Sequence, residues 1–551
     1  MRSVAIHGTL GALVLTAVAV IPAAPAIPNA LARTAVSRTS PAPAAPATGG
    51  LPLPMREARE AVGAARAAEA ASAAGIDWTD CPAADELPSS ARCGEVTVPV
   101  DYAEPDGEKI RLALSRKRAT GPAGQRKGPL IHNPGGPGAD SMGFPLYGTT
   151  RGGVWKKLNR AYDFVGYAPR GTGRSAPLLC RTPDEAEDAA DKGPARSQRV
   201  PSEAFGRELR GEAAGFARAC AHRHGARLGR FTTADNARDL DVLRAALHRE
   251  KTAFVGTSYG SYLGAVYATL FPGRVGRLVL DSVVDPRPGR IWYRDSLAQS
   301  RAFQRRWREF TAWVAEHHSA YGLGPGARDV QRTFEAARER ADRGRLGSPE
   351  GRRGGSRQLL RAYLAAGYSG ESWPRLAAAL ARFHDGDPRP LAELAAPGTL
   401  SAAQQENADS VYSAVQCSEG HWPRDWSRWN RDNTAISGGA PFQTWETVRA
   451  NLPCAYWKGR RSRPVDVRTA PGELPPVLLL ASTRDAATPY EGALETWKRL
   501  SGSSLVTERG AVAHGVAGGN ACADRHLAAY LLKGRTPGRA ADCPARPAPR
   551  P

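Results

Sequence analysis

Residues 252–273 have the order of a strand, a sharp turn and a helix, with a serine at the apex of the turn. A short apolar run leads into Gly256-Thr257-Ser258-Tyr259-Gly260, and a helix-forming stretch rich in Ala, Leu and Tyr follows. A serine on so sharp a turn has strained backbone angles, so the residues two positions away on either side must be very small. The segment therefore predicts Ser258 as a catalytic nucleophile, with a glycine-lined packing turn as the alternative.

Strand and helix patterns alternate along the chain on both sides of this turn. The elements predicted before it are strands at 95–100, 110–114, 129–131 and 162–165 and a helix at 235–248. Those predicted after it are strands at 275–280, 476–480 and 504–506 and helices at 490–500 and 523–532. This alternation predicts an α/β fold in which a mostly parallel sheet is flanked by helices.

The amino-terminal end has the composition of an export signal. Arg2 is followed by an apolar stretch over residues 8–21 and by small residues, which predicts a signal peptide at 1–32. Cleavage after Ala32 is favoured, and Ala26 is a comparable site. Residues 33–75 are rich in Ala and Pro and then in helix formers, so they predict a leader, a linker or a pro-segment.

The strand patterns occupy two separate parts of the chain, residues 76–290 and 446–551. Between them, residues 291–445 are rich in Arg, Ala, Trp and Leu and have few strand-like runs. This composition predicts a helical cap inserted into one sheet domain. No apolar run after the signal reaches the length of a membrane span, so a secreted protein without such a span is expected.

The eight cysteines fit export into an oxidising compartment. None lies in a Cys-x-x-Cys pair and no histidine pairing completes a zinc pattern, so no metal site is predicted. The simplest connectivity pairs the cysteines in sequence order: Cys81–Cys93, Cys180–Cys220, Cys417–Cys454 and Cys522–Cys543.

The formal net charge of +21 raises the question of a nucleic-acid partner. The arginines are spread along the chain, and no basic run alternates with aromatic residues, so nucleic acid is not predicted as a partner. Adhesion of a basic surface to anionic cell-wall material is the milder expectation. Nothing in the sequence demands more than a monomer.

A serine hydroxyl becomes a nucleophile only when a base takes its proton, and the base needs an orienting carboxylate. In sheets of this kind the chain order is serine, acid, histidine. Downstream of the last predicted strands only His514, in a loop, and His526, in the closing helix, remain. His514 is therefore predicted as the base. Asp485, at the end of a strand, is predicted as the acid, and Asp281 is the alternative.

A glycine-rich loop follows the strand predicted at 129–131. Residues 131–138 read Ile-His-Asn-Pro-Gly-Gly-Pro-Gly, so bare backbone amides can come close to a substrate. The amide of Gly136 is predicted to pair with that of Tyr259 as an oxyanion hole, with a simple strand-end turn as the alternative. No Gly-Lys-Ser/Thr follows, so this is not a phosphate loop, and no cofactor is expected.

Several motifs occur in the order found in one enzyme family. They are Asn133-Pro134-Gly135-Gly136-Pro137-Gly138, residues 169–175, 232–241 and 280–286, and Ala414-Val415-Gln416-Cys417-Ser418-Glu419. With these motifs the chain resembles the secreted tripeptidyl aminopeptidases of actinomycetes, in the prolyl-aminopeptidase-like group of α/β-hydrolases. The resemblance covers roughly residues 76–545. It implies the α/β-hydrolase fold and hydrolysis of short peptides from a free amino terminus through a serine acyl-enzyme, without a cofactor.

The chain departs from the family pattern at Ala168, where an aspartate is usual, at His132 and at Ala139-Asp140. The resemblance also implies that Glu419 occupies an acidic position that binds the protonated amine of the substrate, with an ordinary surface glutamate as the alternative. Two other functions stay open at this point. One is a secreted esterase or lipase-like enzyme with the same triad, and the other is a non-catalytic exported binding protein.

Overall fold

The computed structural model describes residues 53–186, 202–343, 355–396 and 400–551. The predicted signal peptide, its cleavage sites and the part of the predicted leader at 33–52 lie outside the described residues. The described strands are β1 Arg92–Pro99, β2 Lys109–Lys117, β3 Gly128–Asn133, β4 Tyr162–Tyr167, β5 Thr252–Thr257, β6 Val275–Asp281, β7 Leu478–Ser482, β8 Ser504–Arg509 and β9 Ala540–Pro544.

These strands form one nine-stranded sheet in the order β1-β2-β4-β3-β5-β6-β7-β8-β9. Strand β2 runs antiparallel to both β1 and β4, and every other neighbouring pair is parallel. The apolar side chains of β5, β6 and β7 are buried because helices cover both faces of the sheet. This mostly parallel sheet confirms the predicted α/β-hydrolase fold.

Every strand except β9 follows a pattern visible in the sequence. Strand β9 reads Ala-Ala-Asp-Cys-Pro, which lacks the β-branched and aromatic residues typical of strands. It pairs in parallel with β8 at the edge of the sheet. The Cys522–Cys543 disulfide also connects it to the last helix. Tertiary pairing, and not local propensity, therefore places this strand.

The helices surround the sheet and fill the region between β6 and β7. They are α1 Leu53–Ala74, α2 Tyr147–Thr150, α3 Gly153–Asn159, α4 Glu203–His224, α5 Thr233–Ala246, α6 Tyr259–Leu270, α7 Tyr293–Glu316, α8 His318–Tyr321, α9 Ala327–Asp342, α10 Ser356–Tyr363, α11 Ala365–Tyr368, α12 Trp373–His384, α13 Arg389–Ala395, α14 Ala402–Cys417, α15 Trp426–Ser437, α16 Thr444–Asn451, α17 Pro453–Tyr456, α18 Tyr490–Arg499 and α19 Ala521–Lys533. Among the described residues, no helix is both long enough and apolar enough to cross a membrane.

We use the name cap segment for residues 291–445, where the sequence predicts an inserted cap. Its described part is helical and has its own aromatic core, in which Trp307 stacks on Phe442 with ring centroids 4.4 Å apart. This core continues into Ala486 and Val512, which belong to the loops after β7 and β8. The cap segment therefore packs against the loops that carry the predicted acid and base.

All eight cysteines form disulfides. The pairs are Cys81–Cys93, Cys180–Cys220, Cys417–Cys454 and Cys522–Cys543. The predicted pairing in sequence order is confirmed. Each disulfide closes a short loop of the chain, so each contributes by restricting the unfolded chain locally.

Two of the sequence motifs have a structural role that centres on Arg170. This side chain is buried and donates to both carboxylate oxygens of Asp239, at 2.7 and 2.6 Å. It also donates to the carbonyl oxygens of Pro99, Val100 and Arg230. A buried ion pair of this kind is costly to break, because the remaining charge has no partner. The Arg170–Asp239 ion pair therefore holds the loop at 169–175 against helix α5.

Helix α1 is part of the packed structure. Ala64 and Ala68 are buried, and a Cβ atom added at Gly63 would lie 1.8 Å from the carbonyl oxygen of Tyr102. Ion pairs join its first turns to the rest of the protein, from Arg56 to Asp101 at 2.6 Å and from Glu60 to Arg238 at 2.8 Å. Residues 53–74 therefore contribute to stability.

A chain that begins at Gly75 is expected to melt about 5 °C or more below a chain that begins at Leu53. Loss of helix α1 exposes the apolar surface that it covers, and it leaves the buried Arg238 with one carboxylate partner fewer. Thermal unfolding followed by circular dichroism measures the difference. Equal melting temperatures would identify residues 53–74 as a dispensable pro-segment.

Candidate active site

The turn between β5 and α6 has the strained geometry that the sequence predicts. Ser258 is the N-cap of α6, with φ 60° and ψ −125°, and it is half-buried. A Cβ atom at Gly256 would lie 2.0 Å from the carbonyl oxygen of Gly260, and one at Gly260 would lie 2.3 Å from that of Asn133. Only glycine fits at both positions, because strand, helix and neighbouring loop converge there.

The predicted base and acid are in direct contact. Nδ1 of His514, in the loop after β8, lies 3.0 and 2.9 Å from the two carboxylate oxygens of Asp485, after β7. Asp485 is buried and also accepts hydrogen bonds from the amides of Ala487 and Thr488 and from the Thr488 hydroxyl, each at 2.9 Å. With Nδ1 donating to the carboxylate, Nε2 is the ring nitrogen that can accept a proton.

The charge of Asp485 opposes the effect of burial on His514. Burial alone would lower the pKa of His514, but the adjacent Asp485 carboxylate raises it above its ordinary value. The site therefore stabilises an imidazolium when the ring takes a proton. His526, the other candidate base, lies half-exposed on α19 and is not part of this arrangement.

Asp281, the alternative acid, has a different set of partners. Its carboxylate accepts from the amides of Val516 at 2.9 Å and Ala517 at 3.0 Å, and its carbonyl oxygen accepts from the Ser258 amide at 2.9 Å. Burial raises the pKa of Asp281 to about 6. The structure brings Asp485, and not Asp281, to the His514 ring. Asp281 connects the turn that carries Ser258 to the loop that carries His514.

The glycine-rich loop after β3 lies against the Ser258 turn. A Cβ atom at Gly135 would lie 2.9 Å from Cβ of Ser258 and 3.0 Å from the amide nitrogen of Tyr259. The Gly135 amide donates to Oδ1 of Asn133 at 3.0 Å, whereas Gly136 is exposed. Tyr259 is the first residue of α6, so its amide has no acceptor within the helix. Gly135 and the Tyr259 amide thus lie at the same turn, and the role of the Gly136 amide stays a prediction.

Glu419 is not a surface residue. Only 2% of it is exposed, and its carboxyl group accepts hydrogen bonds from the amide and, at 3.0 Å, from the hydroxyl of Thr233 at the start of α5. The Thr233 hydroxyl also lies 3.1 Å from the phenol oxygen of Tyr259. Burial raises the pKa of Glu419 to about 8. The side chain therefore lies next to the ring of Tyr259, with both of its oxygens already bonded.

The cap segment contributes a residue next to the base that the sequence did not indicate. The Tyr368 ring meets the His514 ring edge-on, with centroids 5.2 Å apart, and its carbonyl oxygen accepts from the His514 amide at 2.7 Å. Tyr368 is 41% exposed, so it borders open space. Thr488, which holds Asp485, was also missed, although a threonine three residues after an aspartate is a recognisable turn signal.

A serine on a strained turn, a histidine–aspartate pair and a glycine-rich loop at one edge of this sheet define a serine hydrolase of the α/β-hydrolase class. Residues 128–324 match the family model described as alpha/beta hydrolase fold, and residues 440–543 match the one described as TAP-like protein.

Three relatives match most of the chain. A tripeptidyl aminopeptidase of Streptomyces lividans is 45% identical over 87% of this chain and 88% of that protein. Serine protease Hip1 of Mycobacterium tuberculosis is 30% identical over 85% of this chain and 91% of that protein. Carboxylesterase B of the same organism is 31% identical over 82% of this chain and 86% of that protein. The chain belongs to the tripeptidyl aminopeptidase family and is a serine hydrolase of the peptidase type.

Proposed function

We propose that this protein is a secreted exopeptidase that releases tripeptides from free amino termini. Ser258, His514 and Asp485 act as its catalytic triad. The observation that carries the proposal is the His514–Asp485 hydrogen bond, at 2.9 Å, in a loop that Asp281 connects to the strained Ser258 turn. The 45% identity to a tripeptidyl aminopeptidase supports the substrate class.

The reaction follows from the roles of these groups. Nε2 of His514 takes the proton of the Ser258 hydroxyl as its oxygen attacks the carbonyl carbon of the scissile peptide bond. The amides of Gly136 and Tyr259 stabilise the negative charge that develops on the carbonyl oxygen. The imidazolium, held by Asp485, then protonates the departing amine and leaves an acyl-enzyme. Water, activated by the same histidine, releases the tripeptide.

The cap segment supports an exopeptidase more than an enzyme that cuts folded proteins. Tyr368 lies beside His514, and the hydrogen bond from the Gly370 amide to the Val512 carbonyl oxygen, at 2.9 Å, joins the cap to the histidine loop. A site bordered in this way admits chain ends more readily than chain interiors. The four disulfides support export into an oxidising compartment.

The second candidate function is ester hydrolysis, which the 31% identity to carboxylesterase B favours. It would use the same triad without any need for a free amine. A monomeric state, adhesion to cell-wall material and the absence of a nucleic-acid partner stay predictions.

Turnover of Ala-Pro-Ala p-nitroanilide, compared with a p-nitrophenyl ester of a short fatty acid, tests the proposal. The peptidase is expected to hydrolyse the anilide, and Ser258→Ala is expected to abolish both activities. Ester hydrolysis by the wild-type protein without any anilide hydrolysis would replace the proposal by the esterase. A wild-type protein that hydrolyses neither, and whose Ser258 does not react with an organophosphonate, would be the non-catalytic binding protein.

A further inference from the structure

A cavity lined by cations lies outside the catalytic site. It has a volume of about 450 Å³ and is bordered by helix α4, helix α17 and the loop after α17. Its charged lining residues are Arg218, Arg424 and Lys458, and no carboxylate is among the described residues that line it. All three side chains are exposed, and within the described part of the chain none has an ion-pair partner. Three uncompensated cations around this basic cavity favour an anionic ligand.

Another cavity, of about 540 Å³ between α1 and α5, has a mixed lining. Arginines and carboxylates both border it, and Arg244 and Asp241 there pair with each other at 2.7 Å. The charges around that cavity therefore compensate one another and indicate no particular ligand. The basic cavity has no such compensation among its lining residues.

The loop after α17 is held in place by its neighbours. Cys454, in α17, forms a disulfide with Cys417, and the Arg461 guanidinium donates a hydrogen bond to the carbonyl oxygen of Cys454. Trp457 is buried, and a Cβ atom at Gly459 would lie 2.7 Å from its Nε1 atom. The loop therefore lies closely on the indole ring. Its cations are presented from a fixed backbone and not from a free tail.

The same loop has a basic sequence, Lys458-Gly459-Arg460-Arg461-Ser462-Arg463. Short runs rich in Lys and Arg are typical of surfaces that bind polyanions. Guanidinium groups suit phosphate, because their parallel N–H groups match two phosphate oxygens. Single-stranded nucleic acid fits this cavity less well, since its bases stack on exposed aromatic rings, whereas Trp457 is only 4% exposed.

We propose that the basic cavity binds a phosphodiester polymer of the cell wall, in which phosphate groups repeat along a polyol chain. Arg218, Arg424 and Lys458 pair with its phosphate oxygens. This gives a site to the adhesion that the net charge of +21 predicts. The choice of a wall polymer rests on the export in the proposed function, whereas the binding itself requires no peptide hydrolysis.

Calorimetric titration of the purified protein with an oligomer of glycerol phosphate tests the site. The triple variant Arg218→Gln, Arg424→Gln, Lys458→Gln is expected to raise Kd about tenfold, because it removes three exposed ion pairs with the ligand. Thermal unfolding confirms that the variant is folded.

The matched control removes three exposed cations at α3, with the same change of net charge. It carries Lys156→Gln, Lys157→Gln and Arg160→Gln, none of which lines the basic cavity. Since these side chains do not contact the ligand and salt screens them from it, Kd is expected to change by less than about twofold.

Four outcomes would overturn the inference. No binding to the wild-type protein at low ionic strength would exclude the site, and equal effects of the two triple variants would reduce it to attraction by net charge. Equal affinity for an oligoglutamate with the same number of charges would contradict the phosphate assignment. A larger loss in the cavity variant for an oligodeoxythymidylate with the same number of phosphates would identify a nucleic-acid site. All four are binding measurements, so they stay decisive even if the peptidase assay fails.

Discussion

Replacing Ser258 or His514 by alanine is expected to lower kcat by about 10⁶-fold, and the double variant is expected to be no slower than either single variant. The two side chains act as one unit, because the hydroxyl attacks only while the imidazole takes its proton. Steady-state hydrolysis of the tripeptide anilide measures all three rates, and thermal unfolding confirms that each variant is folded.

His526→Ala is the matched control for the histidine, since this side chain lies half-exposed on α19, away from Asp485. It is expected to keep wild-type kcat. If the losses of kcat in Ser258→Ala and His514→Ala were to add in the double variant, the two residues would act independently. The assignment of Ser258 and His514 to one catalytic triad would then be wrong.

Asp485→Asn is expected to lower kcat on the order of 10⁴-fold without unfolding the protein. The carboxamide can donate to Nδ1, which holds the imidazole in the tautomer that cannot take the serine proton.

The pH profile of the same variant adds a second readout. His514 works as a base only when neutral, so activity is lost as the pH falls through its pKa. Because Asp485 raises that pKa against burial, the acid limb of kcat/KM is expected to move to lower pH in the variant.

Asp281→Asn is the comparison that decides which aspartate is the acid. Asp281 holds the amides of Val516 and Ala517 and does not contact the His514 ring, so its loss is expected to reduce stability more than kcat. A 10⁴-fold fall in kcat for Asp281→Asn, with little change for Asp485→Asn, would reverse the assignment.

The parts of the site that local sequence could predict are those in which a short segment determines its own geometry. Gly256 and Gly260 are required by contacts within the turn and with the neighbouring loop, so their spacing reveals Ser258. Asp485 and His514 follow strands with clear apolar patterns, and parallel strands bring their carboxyl ends to one edge. Chain order and the ends of these strands therefore predict His514 as the base and Asp485 as the acid, with Asp281 as the alternative acid.

The parts that could not be predicted depend on contacts between distant segments. Tyr368 reaches His514 only because the cap segment folds back on the loop after β8, and no local pattern marks it. The burial of Glu419 and the pairing of β9 are non-local in the same way.

The departures from the family pattern do not contact the triad. His132 is buried and stacks on Phe144 with ring centroids 4.7 Å apart, and burial lowers its pKa to about 3, so it is a neutral core residue.

The other departures are Ala168 and the pair Ala139-Asp140. The Asp140 carboxylate accepts a hydrogen bond from the amide of Met142 at 2.9 Å. Ala168 is buried and donates its amide to the carbonyl oxygen of Ala113. Only Ala139-Asp140, beside the exposed Gly136, is placed to affect substrate preference.

Mass spectrometry of the purified protein incubated with a mixture of unblocked and N-acetylated peptides tests the central claim most directly. The account predicts fragments of three residues, released only from peptides with a free amino terminus, and no cleavage by Ser258→Ala. Cleavage of acetylated and free peptides at equal rates would contradict an aminopeptidase, and release of single residues would contradict the tripeptidyl specificity.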